Sequence, residues 1–261
     1  MSRGLNWLRG LAGGDELGGF PASVKVVDGE LGNRAARFIA VVPDSRNPFP
    51  RARNGEVGLL EGWGLAKAVD EVIEADRELA AKRVLVALVD VPSQAYGRRE
   101  EALGIHQALA GAVDAYARAR LAGHPVIGLL VGKAMSGAFL AHGYQAQRLI
   151  ALDDAGVMVH AMGKAAAARI TLRSVEEVEA LAAKVPPMAY DLESYASLGL
   201  LWERVSVGDA EQPSAADIGR TRECLERAVE DIGSSTDLAG RLGAENRAAS
   251  SRVREMLRAQ W

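Results

Sequence analysis

The sequence predicts an α/β protein built around a mainly parallel sheet. Two runs carry that prediction. RVLVALVD (83–90) and PVIGLLVG (125–132) are continuously apolar, as strands buried on both faces are. Each run is followed by a stretch with helical spacing, and the connections are short, which favours parallel crossovers.

Taken in order, residues 1–22 are Gly-rich and interrupted, and read as an extension that lies on a partner or is partly disordered. VKVV (24–27), a turn at Asp28-Gly29 and ARFIAVVPD (36–44) read as two strands. SRNPFPRARNGEVG (45–58) is a loop, and a helix follows over 58–80, with Leu65, Val69, Val72 and Ile73 on one face. After the first buried strand, a helix over 100–121 places Ile105, Leu109, Val113 and Tyr116 together. After the second, a short helix begins near Ser136. RLIAL (148–152) and GVMVH (156–160) are strands joined at Asp153-Asp154. Helices are expected at 162–169, 174–184 and 191–198, then a strand at 202–207. The tail reads as two helices, 214–231 and 235–259, the second carrying Leu238, Leu242, Ala249, Val253 and Met256. That tail packs on its own core or crosses to another subunit. The expected organisation is an extension (1–22), a main domain (23–211) and a C-terminal helical extension (212–261).

Composition narrows the function. Of 261 residues, 49% are apolar and 25% charged, with a net charge of −3, as in ordinary globular chains. No concentrated basic face points to nucleic acid. The single cysteine, Cys224, excludes an intrachain disulfide and a multi-Cys metal site, and reads as a small buried residue rather than a nucleophile. No stretch approaches the ~20 apolar residues of a membrane span, and MSRGLNWLRGLAGG lacks the apolar run of a signal peptide. A cytoplasmic location is expected.

The chemistry is expected at the two strand exits. In GKAMSGAF (132–139), Gly137 and Ala138 are small, so a ligand carbonyl can approach their amides closely. The next helix adds N–H groups without intrahelical partners and a partial positive charge. Read locally, the same loop is also simply a tight turn that needs small residues. In VPSQAYGRREE (91–101), Pro92 stops the strand and Gly97 permits a turn. Glu100 and Glu101 suit a helix N-terminus, and neighbouring carboxylates point about 100° apart, so they do not form a catalytic pair. Of the histidines, His106, His124 and His142 read as surface or packing residues. His160, at a strand end before a helix start, has the best claim to function. No His/Glu spacing suggests a metal. There is no G-x-S-x-G elbow and no glycine fingerprint for a nucleotide.

In this order the pieces resemble a known family. VDVPSQAYGRREEALGI (89–105) is similar to the D-x-P-G-x-x-x-G-x-x-x-E segment of acyl-CoA carboxyltransferases, and GKAMSGAFLAHG to their G-x-x-x-S/G-G-A/G loop. VVDGELGNRAARFIAVVPD and VMVHAMGKAAAARI fit the same order. The resemblance covers roughly 24–207 and implies a crotonase (ClpP-like) fold of stacked ββα units. With VVPDSRNPFPRARNGEVGLLEGW and the helical tail, the chain more narrowly resembles the gamma subunit of biotin-independent malonate decarboxylase.

That resemblance implies a hetero-oligomer with a beta subunit, an acyl-carrier subunit and an alpha subunit that exchanges acetyl for malonyl. The pair would decarboxylate a malonyl thioester on the carrier's phosphoribosyl-dephospho-CoA arm, with no biotin, no metal and no cofactor attached to this chain. Gly137 and Ala138 match the paired oxyanion-hole amides. Ser93 and Gln94 fall at a candidate second oxyanion hole, where the family commonly has Gly in place of Ser93. Tyr96, Ser136, Met162 and Gly163 are candidate substrate contacts, and Tyr96, His160 or water the candidate proton donor. Loss of carbon dioxide leaves an enolate, so backbone donors suffice without a strong base. Two alternatives stay open: a subunit of a biotin-dependent acyl-CoA carboxyltransferase, and a non-catalytic assembly subunit.

Overall fold

In the computed structural model, which describes residues 2–261, the apolar runs form the middle of a seven-stranded sheet. Strands β1 (Val24–Leu31) and β2 (Arg34–Val41) form an antiparallel hairpin. β3 (Val84–Val91), β4 (Val126–Met135), β5 (Arg148–Leu152), β6 (Met158–His160) and β7 (Glu203–Val205) join in parallel. The order is β1-β2-β3-β4-β5-β7, and β6 attaches to the C-terminal end of β4. The helices are α1 (Arg3–Ala12), α2 (Leu59–Ala75), α3 (Arg98–Ala102), α4 (Ile105–Leu121) and α5 (Ser136–Ala141), followed by α6 (Lys164–Thr171), α7 (Val175–Ala182), α8 (Leu192–Ser197), α9 (Ala215–Ile232) and α10 (Ala248–Gln260). The helix expected over 100–121 breaks at Gly104, whose φ is +83°. Cys224 is buried, and burial pushes its thiol up to about 12, consistent with an inert packing residue.

The hairpin turns at Gly32-Asn33, not at Asp28-Gly29. Asp28 lies opposite Arg37, and its carboxylate accepts from Arg37 Nε at 2.6 Å and Nη2 at 2.8 Å. The same guanidinium donates to the Ala68 carbonyl of α2 at 2.9 Å, tying hairpin to helix. Gly29 is glycine for packing: a Cβ there would strike the Ala12 carbonyl at the end of α1. The Asp-Gly pair therefore serves a cross-strand ion pair and a close helix contact.

The N-terminal segment is also not an extension. Ser2 caps α1, and Trp7, Leu8 and Leu11 are buried in the central core. Trp7 Nε1 donates to the Ala210 carbonyl at 2.8 Å, so the start of the chain grips the loop before α9. Two glycines in ten residues make α1 a poor helix in isolation, and burial of its apolar face supplies what propensity lacks.

The tail divides in two. α9 packs on the chain's own core through Cys224, Leu225, Ala228, Val229 and Ile232. The second expected helix begins only at Ala248, and α10 has no buried residue, with Val253, Met256 and Leu257 more than half exposed. Leu238 and Leu242 precede it, flanking a short turn of helix at Ala239–Arg241.

His142, at the end of α5, is a structural histidine. Its Nε2 lies 2.9 Å from the Leu88 carbonyl, which can only accept, so Nε2 carries the proton. Nδ1 therefore accepts from the Tyr116 hydroxyl at 3.1 Å. Burial lowers its pKa to about 4. The unfolded chain, with an imidazole pKa of about 6.5, binds this proton first. Stability is therefore unaffected by this group above about pH 6.5, falls as pH drops toward 4, and levels off below that. The expected loss across that window is about 3 kcal/mol. Denaturant unfolding of wild type and His142→Gln between pH 4 and 8 checks this: the variant should be less stable at neutral pH and should lack this slope.

Candidate active site

β4 changes partners before it ends. Val89 pairs with Leu130 and Val91 with Ala134, so β4 bulges outward between them. The Asp90 carboxylate fills the bulge. Its Oδ1 accepts the Lys133 N–H at 3.1 Å and occupies space that a Cβ on Gly132 would need. Beyond the bulge, Lys133, Ala134 and Met135 pair with Met158, Val159 and His160. That exchange carries His160 to the junction between β4 and α5.

At the junction Ser136 has φ +57°, a left-handed conformation that strains a non-glycine residue by about 1–3 kcal/mol. Its Oγ donates to the Ala161 carbonyl at 2.7 Å, fastening the junction to the 160–163 segment. The next amide, Gly137 N–H, donates to Gln94 Oε1 at 2.9 Å. Gln94 reaches it from the loop after β3. There the backbone pairs with Val57, through Val57 N to Ser93 O at 3.0 Å and Ala95 N to Val57 O at 2.8 Å. Ser93 Oγ donates to the Gln94 carbonyl at 2.9 Å. Ser93-Gln94 thus meets Gly137 through a side-chain oxygen and not through a backbone amide. Gly137 is half-buried, whereas Ala138 exposes no surface.

A largely apolar cleft of about 510 Å³ opens beside this junction. Gly137, Leu140, His160, Met162, Met188 and Tyr195 are among its walls. His160 stacks on Tyr190, with ring centroids 3.8 Å apart and planes 14° from parallel. Its Nδ1 lies 2.8 Å from the Met162 carbonyl and 3.1 Å from the Met162 N. One ring nitrogen cannot donate and accept at once, and the shorter contact, to an acceptor-only oxygen, places the proton on Nδ1. Burial lowers the His160 pKa, against the opposing effect of the Met162 and Met188 backbone contacts, and so favours the neutral ring.

The candidate residues therefore separate. Ser136, Gly137, His160 and Met162 share one cleft, and Gln94 closes on it from the side. Tyr96 does not join them: it is 58% exposed, and a hydrogen bond to Glu101 raises its pKa. Gly163 caps the start of α6, outside the cleft lining. Glu100 and Glu101 lie in the first turn of α3, as expected, with Glu100 buried beside Gly97 and Arg51. Sequence reading named Gln94 for a second oxyanion hole rather than for its carboxamide, and it missed the residues of the far wall of the cleft, Pro186–Met188 and Tyr195. No local motif marks them, because they arrive from distant segments.

Residues 52–261 match the family described as malonate decarboxylase gamma subunit, MdcE. The chain belongs to that family. It is 74% identical to a chain in the crystal structure of a Pseudomonas malonate decarboxylase hetero-tetramer in complex with coenzyme A, covering 100% of both chains with a TM-score of 0.97. A curated relative, the malonyl-S-ACP:biotin-protein carboxyltransferase MADD of Malonomonas rubra, is 35% identical over 184 residues. That alignment covers 69% of this chain and spans 63% of the relative's length. Transcarboxylase 12S shares the fold, at 20% identity and a TM-score of 0.65, over 88% of this chain and 41% of that one. The family has the carboxyltransferase-type, crotonase-like α/β fold expected from the sequence. Among the described residues, no helix is long and apolar enough to cross a membrane.

Proposed function

We propose that this chain is the gamma subunit of a malonate decarboxylase complex, in which it supplies one wall of a site that decarboxylates a malonyl thioester to an acetyl thioester. The observation that carries this reading is the Gly137 N–H, which donates to an oxygen from outside its own strand and helix at the mouth of an apolar cleft. An acyl oxygen in that position gains negative charge as carbon dioxide leaves, and the hydrogen bond strengthens with it. Gly137 leads the pair, because Ala138 is fully buried. The neutral, backbone-held His160 organises the 160–163 segment rather than delivering a proton. The apolar walls suit the carrier's phosphoribosyl-dephospho-CoA arm and favour loss of a poorly solvated carboxylate. The coenzyme A complex of the Pseudomonas relative supports a thioester arm of this kind.

The beta subunit completes the site, with carrier and alpha subunits delivering and exchanging the acyl group. Support comes from the relative's hetero-tetramer and from α10, whose Val253, Met256 and Leu257 stay more than half exposed among the described residues. The M. rubra relative favours one second reading, a carboxyltransferase that passes the carboxyl group to biotin. Reconstitution separates the two. The complex assembled with its beta and carrier subunits should turn malonyl carrier into acetyl carrier and free carbon dioxide in the presence of avidin. Turnover that requires a biotinyl acceptor would overturn the decarboxylase reading.

A further inference from the structure

We infer that the Gln94 carboxamide is a removable occupant of the acyl-oxygen site, and that it sets the affinity for the thioester. The inference rests on the reading that Gly137 N–H receives the acyl oxygen. A donor of that kind needs its acceptor about 2.7–3.1 Å away. Gln94 Oε1 already stands 2.9 Å from Gly137 N. Two oxygens cannot share that place, so the carboxamide leaves before the thioester is seated.

The geometry makes departure easy. The contact to Gly137 is the one hydrogen bond that the Gln94 side chain makes among the described residues. The backbone beneath it is held independently, by the paired contacts of Ser93 and Ala95 with Val57. The side chain can therefore swing out while the loop stays in register. In the resting state it satisfies an amide that would otherwise lack a partner. One ordinary net hydrogen bond corresponds to about a fivefold preference for the closed arrangement. A ligand that binds only the open arrangement has its affinity reduced by the same factor.

The test is steady-state decarboxylation of malonyl carrier by the assembled complex. Gln94→Ala and Gln94→Asn remove or shorten the occupant, and each should lower KM about fivefold with kcat within about twofold. Gln94→Glu offers a charged acceptor, which binds the amide more tightly and repels the malonyl carboxylate, so KM should rise at least about tenfold. A kcat loss in both Ala and Asn variants, with KM unmoved, would mean that Gln94 acts on the reaction itself, and would overturn the inference. Silence of all three variants would overturn it too. Gly137→Val then locates the fault: if that variant is impaired, only the Gln94 inference has failed; if it is also silent, the Gly137 reading has failed. Should Gln94→Ala not assemble, Gln94→Asn and the amide exchange rate at Gly137, expected to quicken, decide the question.

Discussion

Gly137→Val is expected to lower kcat of the assembled complex by about 10²–10³-fold, the usual consequence of losing one oxyanion donor. The substitution tests chemistry rather than folding. A Cβ at Gly137 would meet only the ends of flexible side chains, Gln94 Oε1 at 3.4 Å and Leu109 Cδ1 at 3.7 Å. The two valine methyls extend into the space where the acyl oxygen belongs. Assembly with the beta subunit, followed by co-purification, should therefore survive while turnover falls. Normal turnover with normal assembly would show that the 136–138 loop is only a packing turn and that another subunit supplies the chemistry. Loss of assembly alone would call for Gly137→Ala, whose single methyl fits at those same distances and still crowds the amide.

Trp7→Ala should destabilise the chain by about 3–5 kcal/mol, the range for emptying a large buried aromatic site. Trp7 exposes no surface, and its indole N–H is bonded to the Ala210 carbonyl. The variant leaves both a cavity and a buried carbonyl without its donor. Trp7→Phe keeps most of the volume and loses the hydrogen bond, so it should fall between the two. Denaturant unfolding of the isolated chain measures the difference. A change below about 1 kcal/mol for Trp7→Ala would mean that α1 is peripheral after all.

Legibility followed locality. The buried strands were readable because continuous apolar runs of at least six residues between breakers have few other uses in a chain of this composition. The Gly137 loop was readable because small residues at a strand exit and the family's order of motifs coincide there. Asp28-Gly29 misled because its turn chemistry is genuine but outweighed by the ion pair with Arg37 and the pressure of α1 on Gly29. Trp7 was hidden by the glycines around it, since α1 depends on tertiary burial more than on its own propensity.

The sequence by itself determined the α/β class, the central strands, the family and the small-residue junction at 136–138. These depend on periodicity, composition and motif order within short windows. Only the tertiary structure decided that His160 joins the junction while Tyr96 stays outside, and that Gln94 already holds the Gly137 amide. The reason is physical: β4 bulges around Asp90 and exchanges partners, and the 93–95 backbone pairs with Val57. Both events join residues far apart in the chain through short runs of backbone pairing, and no local pattern of residue types encodes such a contact.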